Sequence, residues 1–495
     1  MNRPTLSLIA VTAALAAVTG LAMVSAPDEQ GAGREAAATR LPVERSSVLC
    51  PAPSNSELAD TTYTSYTPRS TGTPGSGSAR LRPAAKESTG SGKAEPVDAK
   101  PVLTPRKPGT PVTGEDSGAG TPAWIGAARG DLAPGWTLQQ TTTVSAGSGR
   151  GVLGVLCSGP DTDFWLPGAS TAKSRTDYIH LTNPDDSAAV VDIELYGEDG
   201  ALESSLGEDI QVQPRASVPV LLSTLTDRPQ PDLTAHVTVR SGRVAAALQA
   251  ADTDLGADWL APAADPAASL VLPGIPKDVT EARLIAFAPG DADADLAVRL
   301  ASPTGPITPV GNETLHVKAG MTAAVDLGDI TKGEAGSLLL TPTRGSSPVV
   351  AALQVVRGKG ADRETAYIPA TPAIGDRATV PDNRAEGTSL SLVAPGAPAK
   401  VRVTASAGSG GGTPATQTYT VRKGATLLVE PPAPKGLKGS YALTVETLTG
   451  GPVHAARTLE IPDDGIPMFT VQTFSDDRGT VSVPKAEEDL SVLQE

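Results

Sequence analysis

One stretch of this chain returns about every 105 residues. Leu181-Thr182-Asn183-Pro184 is echoed by Ala286-Phe287-Ala288-Pro289 and by Leu392-Val393-Ala394-Pro395, placing the three prolines 105 and 106 positions apart. Other landmarks keep the same phase: Gly320 with Gly424, and Leu248 with Leu353, each in an Ala-Ala-Leu-Gln run. Agreement at several offsets marks a tandem array. A propeller blade needs only about 40–50 residues, so a period of this length allows a whole small domain per repeat. The 495 residues hold three or four such domains, each large enough to bury its own core.

Within each repeat the local period is two. Val190-Val191-Asp192-Ile193-Glu194-Leu195-Tyr196 alternates, as does Ala294-Asp295-Leu296-Ala297-Val298-Arg299-Leu300. Such alternation makes strands with one wet face. Leu233 to Val239, the turn Arg240-Ser241-Gly242 and Val244 to Gln249 read as a hairpin, repeated at Ser337 to Val355 and at Tyr441 to Leu459. We expect an all-β fold: tandem β-sandwiches of immunoglobulin-like size after an N-terminal signal or anchor helix. The repeats are set at residues 164–270, 271–378 and 379–485, with a tail over 486–495.

A diverged first unit over 28–163 is expected before them. Ser145 to Gly151, Val152 to Cys157 and Asp161 to Pro167 resemble Ser241 to Arg243, Val244 to Gln249 and Asp252 to Pro262. This match makes Trp165 and Trp259 equivalent. Residues 61–120, rich in Thr, Ser, Pro, Gly and basic residues, read as a long disordered insertion.

Arg3 precedes an uncharged run from Pro4 to Pro27, the pattern of an export signal. The run reaches the roughly 20 residues that cross a bilayer, so residues 1–27 are expected to stay as a membrane anchor through residues 4–26. Cleavage at Ala14-Leu15-Ala16 or Val24-Ser25-Ala26 is the alternative. Either way the folded chain is extracytoplasmic. In that compartment the two cysteines, Cys50 and Cys157, most simply form one disulfide, with two buried free thiols as the alternative.

A net charge of −15 argues against nucleic acid and against general affinity for anionic lipid. The exception lies between Arg69 and Lys107, where Arg69, Arg80, Arg82, Lys86, Lys93, Lys100, Arg106 and Lys107 face only Glu87, Glu95 and Asp98. That stretch is a candidate contact for an anionic wall polymer.

Catalytic signals are sparse, and no catalytic, cofactor-binding or metal site is assigned. The four histidines, His180, His236, His316 and His454, fall in strand-like runs without a nearby nucleophile or metal-spaced partner. Gly90-Ser91-Gly92-Lys93 lacks the first glycine and the Ser/Thr of a phosphate loop. Asp291, Asp293 and Asp295 open like a calcium loop, but Leu296 and Ser302 stand where a glycine and a glutamate belong. They read as a strand edge, able at most to collect a weak calcium ion. Aromatics are only 3% of the chain, which disfavours sugar stacking. Trp165 and Trp259 suit core or inter-domain packing.

The early Cys50-Pro51, the block Asp163-Phe164-Trp165-Leu166-Pro167-Gly168, and Tyr178 to Pro184 leading to Val190-Val191-Asp192 together resemble an actinobacterial family of exported proteins classed only as a domain of unknown function. The resemblance runs from about Cys50 onward. Members of that family are often encoded near a large membrane glycosyltransferase, so the resemblance implies a role in envelope assembly, and it carries no active site to transfer. The expected function is a non-catalytic scaffold or accessory protein of the cell envelope. Its partner would be a membrane glycosyltransferase or wall enzyme. The alternatives are a glycan- or wall-polymer-binding module, or a hydrolase or transferase with an unrecognised site.

Overall fold

The computed structural model describes residues 39–69, 75–90, 92–345 and 347–483. It has two units. One joins residues 1–42 to 480–495, and its described part is an antiparallel ribbon of Thr39–Pro42 with Thr480–Val483. The other is Val43–Gly479. The anchor expected over 1–27 and the tail over 486–495 lie outside the described residues. Among the described residues no helix is long and apolar enough to cross a membrane.

The larger unit is a series of β-sandwiches with seven principal strands each. The first has β1 (Arg45–Cys50), β2 (Ala59–Tyr66), β3 (Gly77–Pro83), β4 (Val112–Ser117), β5 (Trp124–Gly130), β6 (Thr137–Val144) and β7 (Gly151–Leu156). The second has β8 (Asp163–Ala169), β9 (Arg175–Thr182), β10 (Ala189–Gly197), β11 (Ala216–Leu221), β12 (Leu233–Ser241), β13 (Ala245–Asp252) and β14 (Gly256–Leu260). The third has β15 (Leu270–Ile275), β16 (Val279–Phe287), β17 (Ala294–Ser302), β18 (Thr322–Asp326), β19 (Gly336–Arg344), β20 (Val350–Arg357) and β21 (Glu364–Pro369). The fourth has β22 (Arg377–Asn383), β23 (Thr388–Val393), β24 (Ala399–Ala405), β25 (Thr426–Val429), β26 (Tyr441–Gly450), β27 (His454–Glu460) and β28 (Phe469–Thr473). Each sandwich sets its first, fifth and third strands side by side in one sheet, and its seventh, sixth, second and fourth in the other.

The period-two pattern fills the cores. In β10, Val191, Ile193 and Leu195 are at most 2% exposed, while Glu194 between them faces water. The echoed prolines follow the second strands β9, β16 and β23. Just before the fourth strands, Gly320 and Gly424 take φ of 69° and 64° and donate to the carbonyls of Ala288 and Ala394. Only glycine adopts that left-handed backbone at little cost, which is why this landmark repeats.

Three expectations are corrected. The three hairpins are not hairpins: β12 and β13, β19 and β20, and β26 and β27 lie in opposite sheets. Alternation shows which side chains point inward but not which sheet a strand joins. The described residues of 61–120 are not a disordered insertion, because they contain β3, β4 and most of β2, with Tyr63, Leu81 and Leu103 no more than 5% exposed. A few well-spaced apolar anchors and the β-branched threonines of β2, paired on both sides by β4 and β6, order a segment of unpromising composition. Its short strand Ala85–Glu87 even extends the second sandwich, pairing in parallel with Ala216 and Ser217 of β11. Finally, Val152 to Leu156 forms a seventh strand, whereas Val244 to Gln249 lies mainly in a sixth. Trp165 on β8 and Trp259 on β14 are therefore not equivalent.

Successive sandwiches lean on one another in the same way. The first strand of each lies against the sixth strand of the next: Leu49 clusters with Ala245, and Trp165 with Val350. Between β15 and β27 the approach is so close that a Cβ on Gly274 would lie 2.5 Å from that of Ala456. The fourth sandwich returns to the first through β22 against β6. The cycle is thus closed, and the Val43 amide donates to the Gly479 carbonyl at 3.1 Å.

Candidate functional site at the four-strand junction

The closed cycle brings the four seventh strands together. β7, β14, β21 and β28 are each an edge strand of their own sheet. β14 contacts β7 and β21, and β28 contacts β21 and β7. Exposed edges invite unwanted pairing, and here each is covered by the others. The Ala257 amide donates to the Arg150 carbonyl at 2.8 Å, and the Thr365 amide to that of Leu255 at 3.0 Å.

Two carboxyl groups sit in this junction. Asp258 on β14 is fully buried. It accepts from the Gly154 amide of β7 at 3.1 Å and from the Thr470 hydroxyl of β28 at 3.0 and 3.1 Å. Gln472 donates to that same hydroxyl at 2.7 Å. One side chain therefore joins three sandwiches. Gly154 is required there, since a Cβ would lie 2.3 Å from Gln472 Nε2 and 2.7 Å from Thr470 Cγ2.

Glu364 on β21, also fully buried, lies against the backbones of Gly151 and Gly256. Arg150 Nε is 3.8 Å from its carboxyl, but the guanidinium spends its Nη2 on the carbonyls of Ala361 and Arg363. Burial dominates the balance. It pushes Glu364 up to about 9, with Arg150 opposing and Asp258 reinforcing the rise. Asp258 is likewise held well above the usual carboxylate range, chiefly by burial, despite its donors. Glu364 therefore keeps its proton at neutral pH. Both are sealed from solvent; Asp258 ties three sandwiches by hydrogen bonds, while Glu364 packs against Gly151, Gly256 and Arg150.

The residues singled out in the sequence are dispersed. Cys50 and Cys157 form a disulfide that ties the end of β1 to the residue after β7, across the two sheets of the first sandwich. Asp295 contacts His316 Nδ1 at 2.8 Å, and Asp293 lies 3.5 Å from His316 Nε2 while accepting the Ala319 amide. These acids are engaged by an imidazole and the backbone, and no group of three potential metal ligands gathers among the described residues.

His236 stacks on Trp165 with ring centroids 3.6 Å apart and lies 3.0 Å from Asp163. Trp165 also stacks on Phe287 of the third sandwich. Trp259 packs with Leu153 and Val155 of the first sandwich and meets His180 edge-on. His454 Nδ1 lies 2.9 Å from the Thr371 carbonyl. Asn183 of the repeated block is fully buried, and its amide donates to the carbonyls of Ser187, Val212 and Gln213. It organises a turn.

A cleft of 340 Å³ between the third and fourth sandwiches is lined by Ser389, Ser391, Leu428, Thr458 and Glu460 among others, with no aromatic ring. Sequence reading missed Asp258 and Glu364. The only available signal was a lone acid in a short apolar strand, as in Gly256-Ala257-Asp258-Trp259-Leu260.

Fold and junction together define an all-β protein of tandem sandwiches closed on a buried polar core. The chain belongs to a family of unknown function (DUF5719), whose profile matches residues 112–432, from β4 of the first sandwich to β25 of the fourth. No curated protein matches it.

Proposed function

We propose that the protein is a non-catalytic extracytoplasmic scaffold of the cell envelope, a stiff platform that positions a membrane or wall-assembly protein. The observation that carries this reading is the sharing of Asp258 among three sandwiches. Hinged enzyme domains would gain nothing from such a tie, whereas a platform needs its faces held at fixed angles. The disulfide fits folding in an oxidising compartment. The buried carboxyls of the junction are spent on structure.

The test is crosslinking in intact cells with the full chain, against a form lacking residues 1–26 and exported by another signal. Reproducible recovery of one membrane glycosyltransferase or wall enzyme with the full chain supports the reading. Recovery of wall polysaccharide without any protein partner would overturn it in favour of glycan binding.

A further inference from the structure

The outward face of the sheet β1-β5-β3 gathers four arginines and no acidic residue. Register places Arg45 opposite Arg129 and Arg129 opposite Ser78; the next rows are Ser47, Ala127 and Arg80, then Leu49, Ile125 and Arg82. The alternate residues, including Val48, Cys50, Ala79, Leu81, Trp124 and Ala128, form the core beneath. Of the nine outward positions, Leu49 and Ile125 are covered by the second sandwich, four are exposed arginines and none is acidic. Like charges directly opposite each other on a sheet are destabilising. Nevertheless Arg45, Arg80, Arg82 and Arg129 form no ion pair among the described residues.

Several exposed arginines elsewhere are partnered. Arg240 pairs with Asp192 and Asp209, Arg243 with Asp185, Arg283 with Asp232 and Asp326, and Arg402 with Glu446. Beside the face, Asp186 pairs with Arg215 and also attracts Arg82. In a chain with 55 acidic and 40 basic residues, four arginines gathered on one face without an ion pair among the described residues call for an anion from outside.

We propose that this face binds a flexible phosphodiester-linked polymer. Guanidinium forks match the paired oxygens of a phosphate better than ammonium groups do. Nucleic acid would need rings on which to stack bases, and a uronate-type polysaccharide would favour aromatic platforms for its sugars. The face presents no aromatic side chain. It also presents no exposed large apolar residue to enter a membrane. Along β3 runs a groove of 160 Å³ walled by Arg80 and Arg82 on one side and Pro101, Leu103 and Thr104 on the other, which offers an apolar bed for the polymer's carbon chain.

The site differs from the basic stretch read in the sequence. Arg45 and Arg129 lie outside residues 69–107, and the face's nine positions do not include Lys86, Lys93, Lys100, Arg106 or Lys107. The inference goes beyond the scaffold reading and does not depend on it.

The experiment measures binding of a synthetic glycerol phosphate oligomer to the full chain by fluorescence anisotropy at several salt concentrations. Saturable binding is expected, weakening as salt rises. Arg80→Gln with Arg129→Gln should weaken it roughly tenfold or more and flatten the salt dependence. Because this change relieves like-charge repulsion, the thermal midpoint should hold or rise, so lost binding cannot be blamed on unfolding. Arg243→Gln, which breaks a pair elsewhere, should leave binding unchanged. Undiminished binding by the double variant would overturn the assignment. So would equal, variant-sensitive binding of polygalacturonate, or binding of anionic phospholipid vesicles without the oligomer.

Discussion

The hydroxyl of Thr470 donates to the carboxyl of Asp258 at 3.0 Å, joining strands 212 residues apart in sequence. Because Asp258 also takes the Gly154 amide, its removal would leave two buried donors unmet. Asp258→Ala should cost about 2–6 kcal/mol, since each of the two stranded buried donors incurs a desolvation penalty of roughly 1–3 kcal/mol. Asp258→Asn keeps an acceptor oxygen for the buried donors and removes a charge that burial disfavours, so it should cost less than about 1 kcal/mol. Urea midpoints of the two variants test this. Equal losses would mean that charge, not hydrogen bonding, matters at the junction.

Stability should depend on pH from both sides. Glu364 is raised from 4.5 to about 9 by burial. The folded chain therefore holds the proton more tightly, and its contribution is complete below about 4.5 and lost progressively as pH rises through about 9. His180 is lowered from 6.5 to about 4 by burial. Its contribution is present above about 6.5 and lost as pH falls through about 4. Glu364→Gln should flatten the alkaline limb and leave the acid limb in place. Thermal midpoints across this range decide it, and an unchanged alkaline limb would assign that loss to another group.

The Cys50–Cys157 disulfide closes a separation of 107 residues. Replacing both cysteines by alanine should cost about 3–5 kcal/mol on the chain-entropy account. Only the first sandwich is crosslinked, so its strands should show the largest gain in amide exchange. A uniform gain across all four sandwiches would instead show that the closed cycle spreads the loss.

How much was legible in the sequence follows from which interactions are local. The echoed prolines and Gly320 with Gly424 were readable because each solves a turn problem within its own repeat. The same proline position exists in the first sandwich as Pro68, which follows β2. It went unread because the segment between β3 and β4 stretches the later spacing. The sheet assignment of β12 and β13 was illegible, since alternation fixes an inward face and nothing more. The partners of Asp258 come from two other sandwiches, and no local pattern marks them. The arginine face was half visible: Arg80 and Arg82 stood in a basic run, but only the register of β5 sets Arg129 beside them and opposite Arg45.

Closure of the cycle also changes what loosening one interface can do. Trp165 fills the contact between the second and third sandwiches, stacked on His236 and Phe287. Trp165→Ala should cost about 3–5 kcal/mol, as large-to-small changes in cores do. In an open string of domains such a loss would uncouple two modules and split the melting curve. Here β14 and β21 still meet at the junction, and the second and third sandwiches remain linked through the first and fourth. We therefore expect calorimetry of Trp165→Ala to show a lowered midpoint with a single transition. Two resolved transitions would mean that the junction contacts are too weak to couple the sandwiches. Combining Trp165→Ala with Asp258→Ala should then split the transition, because the pair removes the direct interface and the shared tie together.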